Sequence, residues 1–373
     1  MPTPSQLPIE ARIDARTITF LNLLRGCAVL LVMYDHLGAV WPGESNRSWI
    51  VNRVIRRWIN EPLGIIQDFG FLGVTIFFLV SGFIITHVAQ RETRFQFATK
   101  RILRIYPPLI VSILVIAAIA AIRGVELLPI GDYLASFTLV NYLQSPQVVV
   151  TGVAWTLVIE MLFYAAIFAT LPLVQSRPLA ANAIILVTVV IVICSAREFG
   201  ASYFLFAASI SYLPFLLIGQ LIYLRWVRKI TVPQTAVLTA LTYGVAVFAI
   251  DRINSAFLLA NNSYMISAGF AVGLFLVALS FEGSFRIPKF IALTSEISYS
   301  LYLLHGVIGY FTLDKLVGKI PFTAAFIVAV GTSLISAYVA HRFIELPSQR
   351  AARWIIARAP AKPDTSRKLN RTV

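Results

Sequence analysis

Two histidines and a few charged residues lie inside stretches that are otherwise apolar. His36 and His305 each close a long run of Leu, Val, Ile and aromatic side chains. An imidazole titrates near neutrality, so it can take a proton from a hydroxyl, which is a poor nucleophile at that pH. Arg25 precedes His36 by eleven residues, which is about 16 Å along a helix and within about 20° of the same face. Ionisable groups inside a membrane cost several kcal/mol and face a bundle interior or a wet cavity. Arg25 and His36 therefore belong to one inward stripe, while Asp35 projects about 100° away from it. Arg25 reaching for the lipid surface and His36 closing a packing contact is the structural alternative.

Ser298, Tyr302 and His305 fall at i, i+4 and i+7, again one helical face. Thr156, Glu160 and Tyr164 share another, with Trp155 beside them. A carboxylate at that depth is paired, protonated or solvated, and an arginine such as Arg25 is the simplest partner. Lys100, Arg101 and Arg104 form a basic cluster. Guanidinium forks match phosphate oxygens bidentately, so this is a phosphate clamp or simply topogenic charge. His87 and His341 fall near the ends of their apolar runs and read as interfacial, without chemistry. Cys27 and Cys194 stand far apart, so neither a disulfide framework nor a metal site is expected.

These residues need helices that cross a bilayer. Only 13% of the 373 residues are charged and 58% are hydrophobic, with a mean hydropathy of +0.80. A soluble domain carries about twice that share of charge. The expected fold is all-α, a polytopic bundle of about ten transmembrane helices. Spans are placed near 20–40, 70–89, 105–122, 149–172, 179–195, 203–223, 233–250, 257–281, 290–311 and 321–341. The division is a cytoplasmic segment 1–19, a transmembrane domain 20–345 and a basic, mobile tail 346–373. The first span is too long for a signal-peptide core and is read as retained. The 41–69 connection carries Trp41, Trp49 and Trp58, indoles suited to the headgroup level.

The net charge of +14 does not point to nucleic acid, because the basic residues sit between apolar runs. With the N-terminus cytoplasmic, the inner segments carry 21 Lys and Arg against 9 outside. That bias puts both termini inside, as an even number of spans requires. By helical rise His36 lies about 24 Å and His305 about 22 Å from the inner boundary. Two imidazoles at matching depth predict one polar site toward the outer face.

The chain resembles the acyltransferase 3 family of ten-helix membrane enzymes. The resemblance rests on Leu24-Arg25-Gly26 through His36, on Gly73 to Ile84, and on Lys100 to Pro107. It continues with Trp155 to Glu160 followed by Phe163-Tyr164, Ser298 to His305, and Phe343 to Pro347. Each motif alone is weak; six in order between about residues 17 and 350 are fairly specific. Thr75 stands where an acidic residue is common, and Asp35 before the histidine is unusual. The additional soluble domain of some longer members has no counterpart in the sequence.

The resemblance implies transfer of an acyl group, most often acetyl, from cytoplasmic acyl-CoA to a hydroxyl. The implied acceptors are an extracytoplasmic glycan, free or lipid-linked, such as lipopolysaccharide or exopolysaccharide, or a small molecule such as a macrolide. It implies His36 as the catalytic histidine, as base or as covalent acyl carrier, and Arg25, Lys100, Arg101 and Arg104 as donor-site residues. Glu160, Trp155, Tyr302, His305 and Ser298 are then substrate-binding or supporting residues. No permanently bound cofactor and no metal is implied, and the location is the bacterial inner membrane. A transporter or flippase would also carry intramembrane His, Glu and Arg. It would commonly show an inverted repeat, and none is visible in the sequence.

Overall fold

The computed structural model describes residues 18–254 and 261–359. Arg12, Arg16, the start of the expected span at 257 and the tail from residue 360 lie outside the described residues. The described chain is helical, without a strand beyond one isolated bridge between Val317 and Ile320. Helix α1 (Thr19–Tyr34) continues through a π-turn (Asp35–Val40) to Glu44. Then come α2 (Gly70–Ala89), α3 (Arg94–Ile122), α4 (Trp155–Ser176), α5 (Pro178–Cys194) and α6 (Ala201–Trp226). Helices α7 (Val232–Asn254), α8 (Asn261–Ser280), α9 (Lys289–Glu296), α10 (Ser298–Leu316), α11 (Phe322–Ala340) and α12 (Leu346–Arg358) complete the order.

Eight of these segments are long and apolar enough to cross a membrane, and the bent pair α9–α10 makes a ninth. Helix α5, apolar but only 17 residues long, occupies the remaining run. The polarity of the bundle is inverted relative to a soluble protein. Ile191, Leu241, Ile327 and Ile335 stand largely exposed on its outside, while Arg101, His305 and Glu345 are buried within.

Local chemistry sets the ends of the elements. Glu282 caps α1: its carboxylate accepts the Thr19 N–H at 3.0 Å and the Phe20 N–H at 2.7 Å. A carboxylate there also meets the positive end of the helix dipole. Thr93 and Gln96 form a reciprocal capping box that starts α3. Helices α2 and α6 touch backbone to backbone through Gly82 and Gly219. A Cβ on Gly82 would lie 1.9 Å from the Leu216 carbonyl oxygen, and one on Gly219 2.1 Å from that of Leu79. Only glycine permits that approach.

Several expected boundaries move. The basic 91–108 segment is not a connection: α3 begins at Arg94 and runs through Pro107 and Pro108, so Lys100, Arg101 and Arg104 lie on the span itself. The expected 290–311 span is broken by 83° at Ile297. The 149–172 span begins as helix only at Trp155. The expected mobile tail is helical over Leu346–Arg358, because a π-turn (His341–Glu345) carries α11 into α12 and Pro347 sits in the first turn, where its missing N–H costs nothing. Trp41 and Trp49 are buried in the described structure. Their indoles donate into the bundle, to Asp314 at 2.8 Å and Thr323 at 3.0 Å, and only Trp58 stands out at 72% exposed.

Candidate active site

Three cavities follow one another through the bundle. The first, of about 740 Å³, opens at the Thr19 end of α1 and is lined by Arg25, Glu92, Lys100, Arg101, Arg104 and Glu345. The second, only about 80 Å³, is a neck lined by Arg25, Arg104, Glu160, Tyr164, Ser298 and Tyr302 together with Phe77 and Phe78. The third, about 840 Å³, opens at the Trp41 end and is lined by His36, Asp35, Asp68, Trp155, Tyr302 and Tyr310. Arg25 and Arg104 line both the first cavity and the neck. Tyr302 and Val74 line both the neck and the third.

The basic cluster divides in two. Glu92, outside the expected motif, holds Lys100 at 2.8 Å and Arg101 at 3.3 Å. Arg101 is buried and its guanidinium lies over the rings of Phe97 and Tyr164, at 5.3 and 5.7 Å. Its charge is largely committed to holding the α2–α3 turn against the bundle. Arg104, one turn on, makes no hydrogen bond or ion pair among the described residues and faces the open volume. Arg25 donates to Ser298 Oγ at 3.0 Å. The two arginines that face both the first cavity and the neck are therefore Arg25 and Arg104.

Glu160 does not pair with Arg25. It accepts a hydrogen bond from Ser81 Oγ at 3.0 Å and another from the Tyr164 hydroxyl one turn along α4. Thr156 donates to the Tyr302 hydroxyl at 2.9 Å, and Tyr302 donates to the Val153 carbonyl at 3.2 Å. These bonds tie α4 to α10 at the top of the neck. Trp155 reaches the third cavity with its ring tilted against Tyr212.

His36 and His305 meet. His36 Nδ1 lies 2.6 Å from His305 Nε2, with the ring planes 25° apart. His305 is fully buried, and its Nδ1 lies 3.0 Å from the Leu301 carbonyl oxygen, which can only accept. His305 therefore carries its proton on Nδ1, and its Nε2 is the acceptor. His36 must then donate from Nδ1, which leaves a lone pair on its Nε2. This tautomer assignment follows from the bonding partners. His36 lines the third cavity; His305 stands behind it.

Carboxylates enter the site that residue spacing did not place there: the buried Asp35, Asp68 and Glu345, with the exposed Glu44 also on the lining of the third cavity. Asp35 shares the third cavity with His36, because the arc of the first span facing it takes two residues per turn: Val32, Asp35 and His36, Ala39 and Val40, Gly43 and Glu44. Asp68 faces the same space from the turn before α2. Glu345 is buried beside the first cavity, accepting from Ser300 at 2.8 Å and from Gln349 at 3.1 Å. His341, expected at an interface, is buried against Glu345 at 3.0 Å, and His87 is buried beside Tyr223. The one signal for Glu345 was its place in the last of the six motifs. No set of three or more His, Cys, Asp or Glu suited to a metal occurs among the described residues.

Residues 18–342 match the acyltransferase 3 family, described as an acyltransferase domain. Nodulation protein 10 of Rhizobium leguminosarum bv. viciae is 26% identical over 374 residues, covering 90% of this chain and 95% of that protein. The O-acetyltransferase OatA of Staphylococcus aureus (strain NCTC 8325 / PS 47) is 22% identical over 392 residues and 95% of this chain, which spans 61% of OatA's length. No solved structure matches the chain.

Proposed function

Because this chain belongs to the acyltransferase 3 family and is a membrane O-acyltransferase, we propose that it moves an acyl group, most simply acetyl, from acyl-CoA to a hydroxyl of an extracytoplasmic glycan. The observation that carries this reading is the line of cavities from an arginine-faced mouth, through an aromatic neck, to the His36–His305 pair. The phosphates of the donor rest at the first cavity against Arg104 and Arg25. The pantetheine arm lies in the neck and brings the thioester toward His36. The 21-to-9 distribution of Lys and Arg supports the first cavity opening to the cytoplasm, across the bacterial inner membrane. The relative named an O-acetyltransferase supports acetyl as the group moved.

At the third cavity His36 acts as general base. Its Nε2 removes the proton of the acceptor hydroxyl while the oxygen attacks the thioester carbonyl carbon. The C–S bond breaks, the CoA sulfur takes the proton from His36 Nε2, and the products are the ester and free CoA. His305 keeps the Nδ1–H of His36 pointed away from the acceptor and stabilises the imidazolium formed in between, as the third member of a hydrolase triad does.

The test uses sealed vesicles of known orientation carrying the purified protein. Labelled acetyl-CoA is supplied on one side and envelope glycan on either. Label should enter glycan only when donor is on the side of the basic cavity and acceptor on the other. His36→Ala should fold, insert and bind donor, and transfer nothing. Turnover near the wild-type rate in that variant would remove His36 from the mechanism. Product formed solely with the acceptor on the donor's side would end the cross-membrane arrangement.

A further inference from the structure

The third cavity holds a second charged group beside His36. Asp35 is 6% exposed, lines the cavity, and makes no hydrogen bond or ion pair among the described residues. A buried carboxylate without donors is costly, and proteins rarely keep one without a use. The surroundings hold it in place. Gln67, Asp68 and Phe69 all take positive φ (51°, 41° and 77°), which turns the chain back so that Gly70 lies directly on the Asp35 carboxylate. A Cβ on Gly70 would stand 2.1 Å from Asp35 Oδ2. The same turn brings Asp68, 8% exposed, to face the cavity with one oxygen held by Asn60 at 3.2 Å.

The cations of this cavity do not neutralise the pair. Arg123 is bonded to Asp314 at 2.5 Å, and Arg56 is exposed, at the start of the π-turn Arg56–Asn60 between the first span and α2. His36 is engaged by His305. What remains is the two buried carboxyls of Asp35 and Asp68 next to the base, with the exposed Glu44 also on the lining, in a space of about 840 Å³ that also presents the rings of Trp155, Tyr302 and Tyr310. That volume lies in the range of ligand sites. A carboxylate offers two oxygens that together accept hydrogen bonds from hydroxyls on adjacent carbons, and such charge-assisted bonds are the stronger kind.

We propose that Asp35, faced by Asp68, is the acceptor subsite: it holds the hydroxyls neighbouring the one to be acylated and so selects which hydroxyl reaches His36. The inference rests on the acyltransferase reading with a glycan acceptor. It assigns Asp35 a specificity role, with no part in proton transfer. A monohydroxylic alcohol would satisfy His36 but not Asp35, so the acceptor class is a polyol, presented as a sugar ring.

The test uses the full-length protein, labelled acetyl-CoA, and envelope polysaccharide from the producing strain with this gene deleted. Asp35→Asn keeps the shape but halves the acceptor capacity. We expect its KM for polysaccharide to rise about tenfold or more, the loss of a charge-assisted hydrogen bond, with the KM for acetyl-CoA unchanged. NMR of the product should show the acyl group spread over more than one ring position where the wild type uses one. Asp68→Asn should shift the same two readouts in the same direction, and serves if Asp35→Asn does not fold. An acceptor KM within twofold of wild type and a single acylated position in the folded variants would overturn the proposal. So would loss of wild-type transfer after chemical N-acetylation of the polysaccharide, which would mean that the carboxylates hold an ammonium group. If wild-type protein labels no polysaccharide at all, the glycan reading itself falls, and the subsite with it.

Discussion

Replacing His305 by Phe separates positioning from proton transfer. The ring volume is nearly kept, but the acceptor for His36 Nδ1–H, 2.6 Å away, is removed. A buried donor left without a partner costs about 1–3 kcal/mol. His36 is then free to flip or to adopt the other tautomer, which places its proton on the nitrogen that must be bare. At about 1.4 kcal/mol per decade, kcat/KM should fall about 5- to 150-fold. Loss of the base itself should cost about 100- to 10,000-fold. Donor affinity should not change, because His305 lines neither the first cavity nor the neck. The assay is transfer of label from acetyl-CoA in liposomes, with a thermal melt in detergent to confirm folding. The sharper comparison is the pair. If His305 acts only through His36, the His36→Ala/His305→Phe double variant should be no slower than His36→Ala alone. A folded His305→Phe enzyme at the wild-type rate, or a double variant slower by the product of the two single effects, would refute the reasoning.

The basic cluster should separate by function. Arg104→Ala should raise the KM for acyl-CoA and lower its salt sensitivity while leaving the melting temperature close to wild type, since Arg104 makes no hydrogen bond or ion pair among the described residues. Arg101→Ala should instead destabilise by about 1.5–3 kcal/mol, the loss of a buried charge-assisted hydrogen bond with Lys100 still left on Glu92, read as a lower melting temperature; equal effects of the two on donor KM would contradict the division. Gly82→Ala should depress yield and melting temperature, because its Cβ would sit 1.9 Å from the Leu216 oxygen, whereas Gly331→Ala, with nothing within 4 Å, should be silent.

The ten apolar runs were legible because each is a long, uninterrupted stretch, and the bilayer tolerates little else. The break at Ile297 was not, since the polar Thr294-Ser295-Glu296 before it can sit on one face of an unbroken helix and does not by itself fix a bend of 83°. Among site residues, matching depth placed His36 with His305, because helical geometry alone decides such a pair, whereas Arg25, expected to partner Glu160, reaches Ser298 instead. Helical geometry could not tell Arg101 from Arg104. That difference depends on Glu92, which sits across a turn and carries no periodic signal. Asp35 was set aside by a 100° argument that treats the inward face as one residue wide, whereas the cavity against α1 spans two residues per turn.

The neck has a bearing on energy conservation. Two wide spaces approach each other from opposite ends of the bundle and are separated by a constriction of about 80 Å³ between Phe77, Phe78, Tyr302 and the Arg25–Arg104 pair. Each elementary charge crossing a membrane releases about 2.3 kcal/mol per 100 mV, so an enzyme that reached through the bilayer with an open bore would drain the gradient that drives its host. A few aromatic side chains and two fixed positive charges make the constriction a poor path for hydronium and for metal cations. A thioester arm threaded through it would act as its own stopper for as long as the donor stays bound.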